Sequence, residues 1–251
     1  MIETAKLAAR EGGKIILKYF SRDIEFSRKS DNSVVSRVDM EAEARIKEII
    51  RGAYPHHAIM GEETGRSGSG PIVWHIDPLD GTQNFMTKIP YCCTSVGIED
   101  SGRFVAGAIF DPFSGELYYA VPGKGAFVNG KKISVKPMPI NEGNLVIDGD
   151  FRKDYAPKIR LIQEIGGNSF RMNGSCALQL AEVASGKCIL SYSDKVKSYD
   201  FAAGIALVRE AGGIVTDEKG NEVSPDSEMI IACADKETHK KALSVLTCPR
   251  N

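Results

Sequence analysis

The segment Ile72-Val73-Trp74-His75-Ile76-Asp77-Pro78-Leu79-Asp80-Gly81-Thr82-Gln83-Asn84-Phe85 constrains the fold more than any other stretch of this chain. A strand with the apolarity of a buried element, Ile72 to Ile76, runs directly into a carboxylate. Pro78 disfavours helical backbone at Asp77 and holds it extended at the strand's end. Its own fixed φ and missing N–H favour a sharp turn there. The turn brings Asp80, three residues on, round towards the same point as Asp77. Gly81 permits backbone angles closed to other residues and a close approach by a ligand. Thr82 to Phe85 then start a short helix whose free N–H groups suit a phosphate. Two acids this close repel and desolvate one another unless a cation lies between them. On this segment alone, turn shaping by Asp-Pro and Asp-Gly explains the same residues.

Two further acidic elements bear on that choice. Gly61-Glu62-Glu63-Thr64-Gly65 follows a strand at Ala58–Met60, and in isolation reads as an exposed loop. Tyr199-Asp200-Phe201 opens a long helix, where Asp200 also reads as an N-cap. Asp39 admits the same reading before the amphipathic helix Met40–Ile50. Each acid has an ordinary explanation by itself. Their joint order does not.

The rest of the chain predicts a layered α+β or α/β architecture. A helix spans 2–20, and a polar stretch, Arg28–Ser33, forms a loop that could close over a site. Gly65–Pro71 reads as loop or turn. Strands at Val96–Ile98, Phe104–Phe110, Glu116–Val121 and Ile133–Val135, with turn residues such as Asn129-Gly130 between them, form an antiparallel meander. Strands at Leu145–Ile147, Ile189–Tyr192 and Met229–Cys233 then alternate with helices near 154–165, 175–185, 200–211 and 236–246. No repeat or linker divides the chain, so 1–251 reads as one unit, subdivided at most near 140 into 1–140 and 141–251.

Composition removes several classes of function. Thirty-two Lys and Arg against 33 Asp and Glu leave a net charge of −1, without the basic footprint of a nucleic-acid binder. No apolar run approaches the roughly 20 residues of a membrane span, and the N-terminus lacks a secretory signal. A cytoplasmic protein is expected. None of the six cysteines forms a Cys-x-x-Cys pair, so they read as reduced, small apolar side chains. The four histidines lack ligand spacing, and His56 and His57 read as exposed loop residues.

Taken together, Gly61-Glu62-Glu63, Asp77-Pro78-Leu79-Asp80-Gly81-Thr82, and Asp200 before Glu210-Ala211-Gly212-Gly213 resemble the inositol monophosphatase family, in family order over nearly the whole chain. The resemblance implies an αβαβα five-layer sandwich, a homodimer, and two or three Mg2+ ions per site. It implies one metal site from Glu62, Asp77 and the Leu79 carbonyl, a second from Asp77, Asp80 and Asp200, and a weaker third leaning on Glu62. Asp39 and Thr82, with Glu62, match positions that orient the attacking water. Gly81 and Thr82 match amides that meet the phosphate, and Gly174 and Ser175 match a segment that meets the sugar or inositol. Hard cations prefer such carboxylate and carbonyl oxygens, and neutralising phosphate charge while activating water is what monoester hydrolysis requires.

The implied reaction is hydrolysis of inositol-1-phosphate, with fructose-1,6-bisphosphate as a further substrate. A 3′(2′),5′-bisphosphate nucleotidase, an NADP phosphatase and a catalytically weak regulatory member are the alternatives. Departures from the family pattern bear on substrate. Ser193 stands where animal members carry a glutamate, and Tyr199 replaces a tryptophan. The 14-residue connection from Glu62 to Asp77 resembles that of short archaeal-type enzymes with dual activity. Lys195 and Lys197 are candidates for holding a second phosphate; a solvated basic face explains them equally.

Overall fold

The structure, a computed structural model, describes residues 1–22, 24, 26–28, 34–149, 156–165 and 169–247. Residues 29–33 of the expected loop and Cys248 lie outside these. Helix α1 (Ile2–Phe20), the hairpin strands β1 (Phe26–Arg28) and β2 (Val34–Ser36), and helix α2 (Arg37–Ala53) come first. Strands β3 (Ala58–Gly61), β4 (Gly65–Ser67), β5 (Ile72–Asp80), β6 (Cys93–Asp100), β7 (Arg103–Asp111), β8 (Glu116–Val121), β9 (Gly125–Val128) and β10 (Lys131–Ile133) form an eight-stranded sheet ordered β10-β9-β8-β7-β6-β5-β3-β4. Its pairs are antiparallel except β3 with β5. Short helix α3 (Thr82–Met86) interrupts it. A five-stranded sheet follows, built from β11 (Asn144–Ile147), β12 (Ser169–Arg171), β13 (Leu190–Asp194), β14 (Ile214–Thr216) and β15 (Met229–Cys233), in the order β12-β11-β13-β15-β14. Helices α4 (Ala156–Ile165), α5 (Cys176–Ala184), α6 (Ser198–Glu210) and α7 (Lys236–Thr247) complete the chain.

Burial sorts these elements into five layers. Ala5, Ala8 and Ala9 of α1 and Ile46 and Ile50 of α2 pack on Trp74, Ile76, Val96 and Ile98, covering one face of the large sheet. Leu180 of α5 and Phe201, Ala202 and Ala203 of α6 fill the space between the sheets, against Ile109, Tyr118, Val146 and Ala232. Leu161 and Ile165 of α4 and Ala242 and Val245 of α7 cover the far face of the small sheet. This is the αβαβα sandwich that the family resemblance implies, and it fits the layered architecture read from the residues.

Helix α6 lies unusually close to the large sheet because two strand positions lack side chains. A Cβ on Gly97 would fall 2.4 Å from the Ala202 Cβ, and one on Gly107 would fall 2.5 Å from the Ala203 Cα. Interiors this dense tolerate little extra volume. The first turn of α6, with Asp200, is thereby fixed relative to β5 and β6.

Several expectations need correction. Gly65–Ser67 pairs with β3 as edge strand β4, so the Gly65–Pro71 stretch is only partly loop. The turn residues concealed its brief pairing. Strands β9, β12 and β14, of 4, 3 and 3 residues, are too short to show a period in the sequence. His57 is half-buried, accepts the Trp74 indole N–H at 3.0 Å and stacks on Tyr54. The Asn129-Gly130 turn forms as predicted, both residues having positive φ, 48° and 83°. Cys92, Cys93, Cys176, Cys188 and Cys233 are free and buried.

Candidate active site

Strand β5 does not turn at Pro78. It runs on to Asp80, with Asp77 opposite Ser95 and Asp80 opposite Cys93 on β6. Three steps on one strand thus answer two on the other, which is a β-bulge. The extra residue resets side-chain alternation, so both aspartates face the α5–α6 layer instead of opposite faces. Proline suits the bulge because it has no N–H to remove from the ladder. The Thr94 hydroxyl pins it by donating to the Pro78 carbonyl at 3.0 Å.

Asp80 is held from α5. The Ser175 hydroxyl donates to its Oδ2 at 2.5 Å, the Ala177 amide to Oδ2 at 2.7 Å and the Cys176 amide to Oδ1 at 3.2 Å. Burial nevertheless pushes its carboxyl up to about 6, against those donors. Asp77 is pushed well up, first by burial and then by the charges of Glu62, Asp80 and Asp200. Its Oδ1 accepts the Leu79 amide at 3.0 Å, and it lies within hydrogen-bonding reach of both Glu62 and Asp200. Asp200 is likewise raised, by burial and then by Asp80. It is the third residue of α6 rather than its N-cap; Lys197 caps the helix, and its amide donates to Asp200 Oδ2 at 2.7 Å. An acid near a helix start serves the first turn from either position, so sequence alone does not separate them.

Glu62 is delivered by β3. The parallel register sets Gly61 beside Ile76, and the Glu62 amide donates to the Ile76 carbonyl at 3.1 Å. Glu43 of α2, 1% exposed, braces this corner by accepting the Glu63 amide at 2.8 Å and the Thr64 hydroxyl while pairing with Lys47 at 2.9 Å. Thr82 donates its hydroxyl to the Leu79 carbonyl at 3.1 Å. Gly81 has φ 95°, and a Cβ there would meet the Cys92 Cβ at 2.9 Å. Asp39 is fully buried inside the first turn of α2, not at its cap; burial, and after it the charges of Asp80, Asp111 and Asp39, raises the Cys92 thiol.

The expected substrate residues divide. Gly174 lines a cleft of about 220 Å³ together with Asp80, Asp148, Gly149, Cys176, Ser193, Asp194, Val196 and Asp200. Ser175 is turned onto Asp80 and caps α5, accepting the Leu178 amide at 3.4 Å. Of Lys195-Val196-Lys197, the cleft wall takes Val196, and Lys197 pairs with Glu228 at 2.7 Å. Asp148, Gly149 and Asp194 are absent from the sequence reading. Asp148 did carry a signal, since it ends the predicted strand Leu145–Ile147 as Asp77 ends Ile72–Ile76.

A profile of the inositol monophosphatase family matches residues 1–248. The chain belongs to that family. It is 36% identical over 247 residues to the protein named Nus factor SuhB of Pasteurella multocida, covering 94% of this chain and 92% of the relative. The crystal structure of the extragenic suppressor protein suhB of Bartonella henselae superposes with a TM-score of 0.92 at 29% identity, covering 98% of this chain and 97% of that one. An inositol monophosphatase structure from Anabaena (Nostoc) gives 0.87 at 28% identity, covering 99% and 96%. Inositol monophosphatases in general depend on Mg2+.

The donor set present fits such an ion. Four carboxylates supply oxygen ligands of the kind hard cations prefer. Lys197 reaches Asp200 through its backbone amide alone, its side chain pairing with Glu228. Among the described residues, no three acidic, histidine or cysteine side chains already stand as ligands of one ion. The carboxylates instead engage amides, hydroxyls and one another.

Proposed function

We propose that this chain hydrolyses a small phosphate monoester with Mg2+ held by Glu62, Asp77, Asp80, Asp200 and the Leu79 carbonyl. The observation that carries the proposal is the convergence of Asp77, Asp80 and Asp200, with Glu62 beside them, in a buried place shaped by a bulge, where burial raises all three carboxyls. Such an arrangement costs stability and is retained where it serves a site. Mg2+, when bound, offsets the carboxylate and phosphate charges and acts as a Lewis acid. Asp77, within reach of both Glu62 and Asp200, would hold Mg2+ together with them. The amides of Gly81 and Thr82 meet the phosphate, while Asp39, Glu62 and the Thr82 hydroxyl orient the attacking water. Its oxygen bonds to phosphorus, the bond to the leaving oxygen breaks, and that oxygen takes up a proton. No phosphoenzyme forms on this route.

Inositol-1-phosphate is the leading substrate, with fructose-1,6-bisphosphate, adenosine 3′,5′-bisphosphate and NADP as the comparison set. A cytoplasmic homodimer belongs to the same reading; among the described residues no helix is long and apolar enough to cross a membrane. The name Nus factor borne by the relatives supports a second reading, a regulatory binding role that leaves the acids unused. Phosphate release from the four substrates, with Mg2+ and with EDTA, separates the two. Mg2+-dependent release supports hydrolysis; background release across the set favours the binding role.

A further inference from the structure

A polar side chain stands two residues before Asp77 and another two residues before Asp200, and these two are bonded to one another. His75 precedes Asp77 on β5, and Ser198 precedes Asp200 in the first turn of α6. The His75 Nδ1 and the Ser198 Oγ are 2.9 Å apart, although 123 residues separate them in the chain. On the other side of the ring, Nε2 lies 2.7 Å from Glu99 Oε2 of β6. His75 and Asp77 share a face of β5, because alternate residues of a strand point the same way. Gly97, opposite His75 in the register, lets α6 come close enough for the bond. The link thus joins the large sheet to α6 where each delivers a carboxylate.

All three side chains are buried, His75 to 2% exposure. Burial alone would favour an apolar residue at 75, between Trp74 and Ile76, so the trio contributes geometry rather than stability. Packing fixes the ring: Phe104 meets it edge-on at 5.4 Å and meets Phe201 of α6 at 5.5 Å. The bond from His75 lowers the Glu99 carboxyl, so Glu99 is charged and Nε2 carries a proton towards it. Nδ1 faces a hydroxyl, which donates to a neutral ring and accepts from a charged one. The link therefore holds in either charge state. Ser198 is buried, and the cleft beside the acids is lined by Val196 and Asp200, so the trio is not placed to attack a substrate.

What the link opposes is charge. Burial first, then the charges of Glu62, Asp80 and Asp200, disfavour the Asp77 carboxylate. Charged together, Asp77 and Asp200 push α6 away from β5. We propose that His75, braced by Glu99, is a positioning residue that ties Ser198 to β5 and so holds Asp200 beside Asp77, ready for Mg2+. The inference rests on the hydrolase reading above and adds to it residues that touch neither ion nor substrate. Such pre-organisation shows as affinity, because the acids are brought together before the ion arrives.

The test measures Mg2+ affinity by titration calorimetry and Tm in EDTA for the wild type, Ser198→Ala, His75→Leu and the double variant. Ser198→Ala removes a single hydroxyl and is the milder change. Loss of this bond weakens Mg2+ binding by about three- to tenfold. Tm in EDTA changes little, because breaking the link also lets the acids separate. The double variant binds Mg2+ no more weakly than His75→Leu, since both changes break one link. His75→Asn, whose amide takes the place of Nδ1, recovers affinity that His75→Leu loses. A purely structural role would instead lower Tm in EDTA and leave the Mg2+ affinity of the folded variants at the wild-type value. That result, or single effects that multiply in the double variant, overturns the inference and leaves hydrolysis intact. A wild type that takes up no Mg2+ overturns the hydrolase reading, and the inference with it.

Discussion

Replacing Asp77 with asparagine should stabilise the metal-free protein while abolishing turnover. Asp80 sets the energy scale: burial and its neighbours raise it from an ordinary 3.8 to about 6 even against three hydrogen-bond donors. At about 1.4 kcal/mol per pKa unit, that is a cost of about 3 kcal/mol at neutral pH. Asp77 is raised well above its ordinary value, with Glu62, Asp80 and Asp200 all acting against its charge. Asparagine removes that charge and keeps an acceptor for the Leu79 amide. The amide's own desolvation is the smaller penalty, so the metal-free fold gains stability. Its Tm in EDTA is therefore higher than that of the wild type. The sign with pH follows from the raised folded-state pKa. The native wild type binds the proton more tightly than the unfolded chain, so its stability is greatest below the unfolded carboxylate pKa and is lost as pH rises towards the folded value. The variant escapes that loss, so its advantage is small near pH 4 and grows towards neutrality. Thermal unfolding in EDTA across this pH range measures it, and phosphate release in Mg2+ measures the loss of function. A variant that melts below the wild type in EDTA at pH 7, with a gap indifferent to pH, would show that Asp77 carries no such strain.

Three further substitutions test the supports of the site. Ser175→Ala removes both a buried bond to Asp80 and the α5 cap, and should cost about 2–4 kcal/mol in denaturant unfolding; a loss below about 0.5 kcal/mol would mean that neither bond matters. Gly97→Ala places a Cβ 2.4 Å from that of Ala202 and should cost about 1–3 kcal/mol while displacing Asp200 from β5, read as lower Mg2+ affinity by calorimetry. Thr82→Ala should lower kcat more than it raises KM, because its hydroxyl is assigned to the water and not to substrate binding; a pure KM effect would move it to the binding group.

The layers were legible because their elements are long. The stripe that includes Ala8, Ile16 and Tyr19 on α1, and the apolar runs of β6 to β8 between turn residues, mark these elements in the sequence. The acids were legible as a set through the Asp-Pro-Leu-Asp-Gly-Thr segment, although their local geometry was not. A sharp turn and a bulge both accommodate Asp77-Pro78, and only pairing with Ser95 and Cys93 across the sheet decides for the bulge. Asp39 and Asp200 at helix starts were misplaced by two or three residues, because a cap and a first-turn acid satisfy the same amides. The side of the cleft formed by Gly149 and Asp194 was hidden because Lys158, Asp194 and Gly149 meet only after α4 folds back across β11 and β13. Lys197, conspicuous as a free cation in the sequence, is drawn off by Glu228, 31 residues away.

Anomalous scattering from crystals soaked in Mn2+ in place of Mg2+ tests the central claim most directly. Peaks enclosed by Glu62, Asp77, Asp80 and Asp200, and lost in Asp77→Asn, are what this account predicts. Manganese bound elsewhere while those carboxylates keep their amide and hydroxyl partners would contradict it.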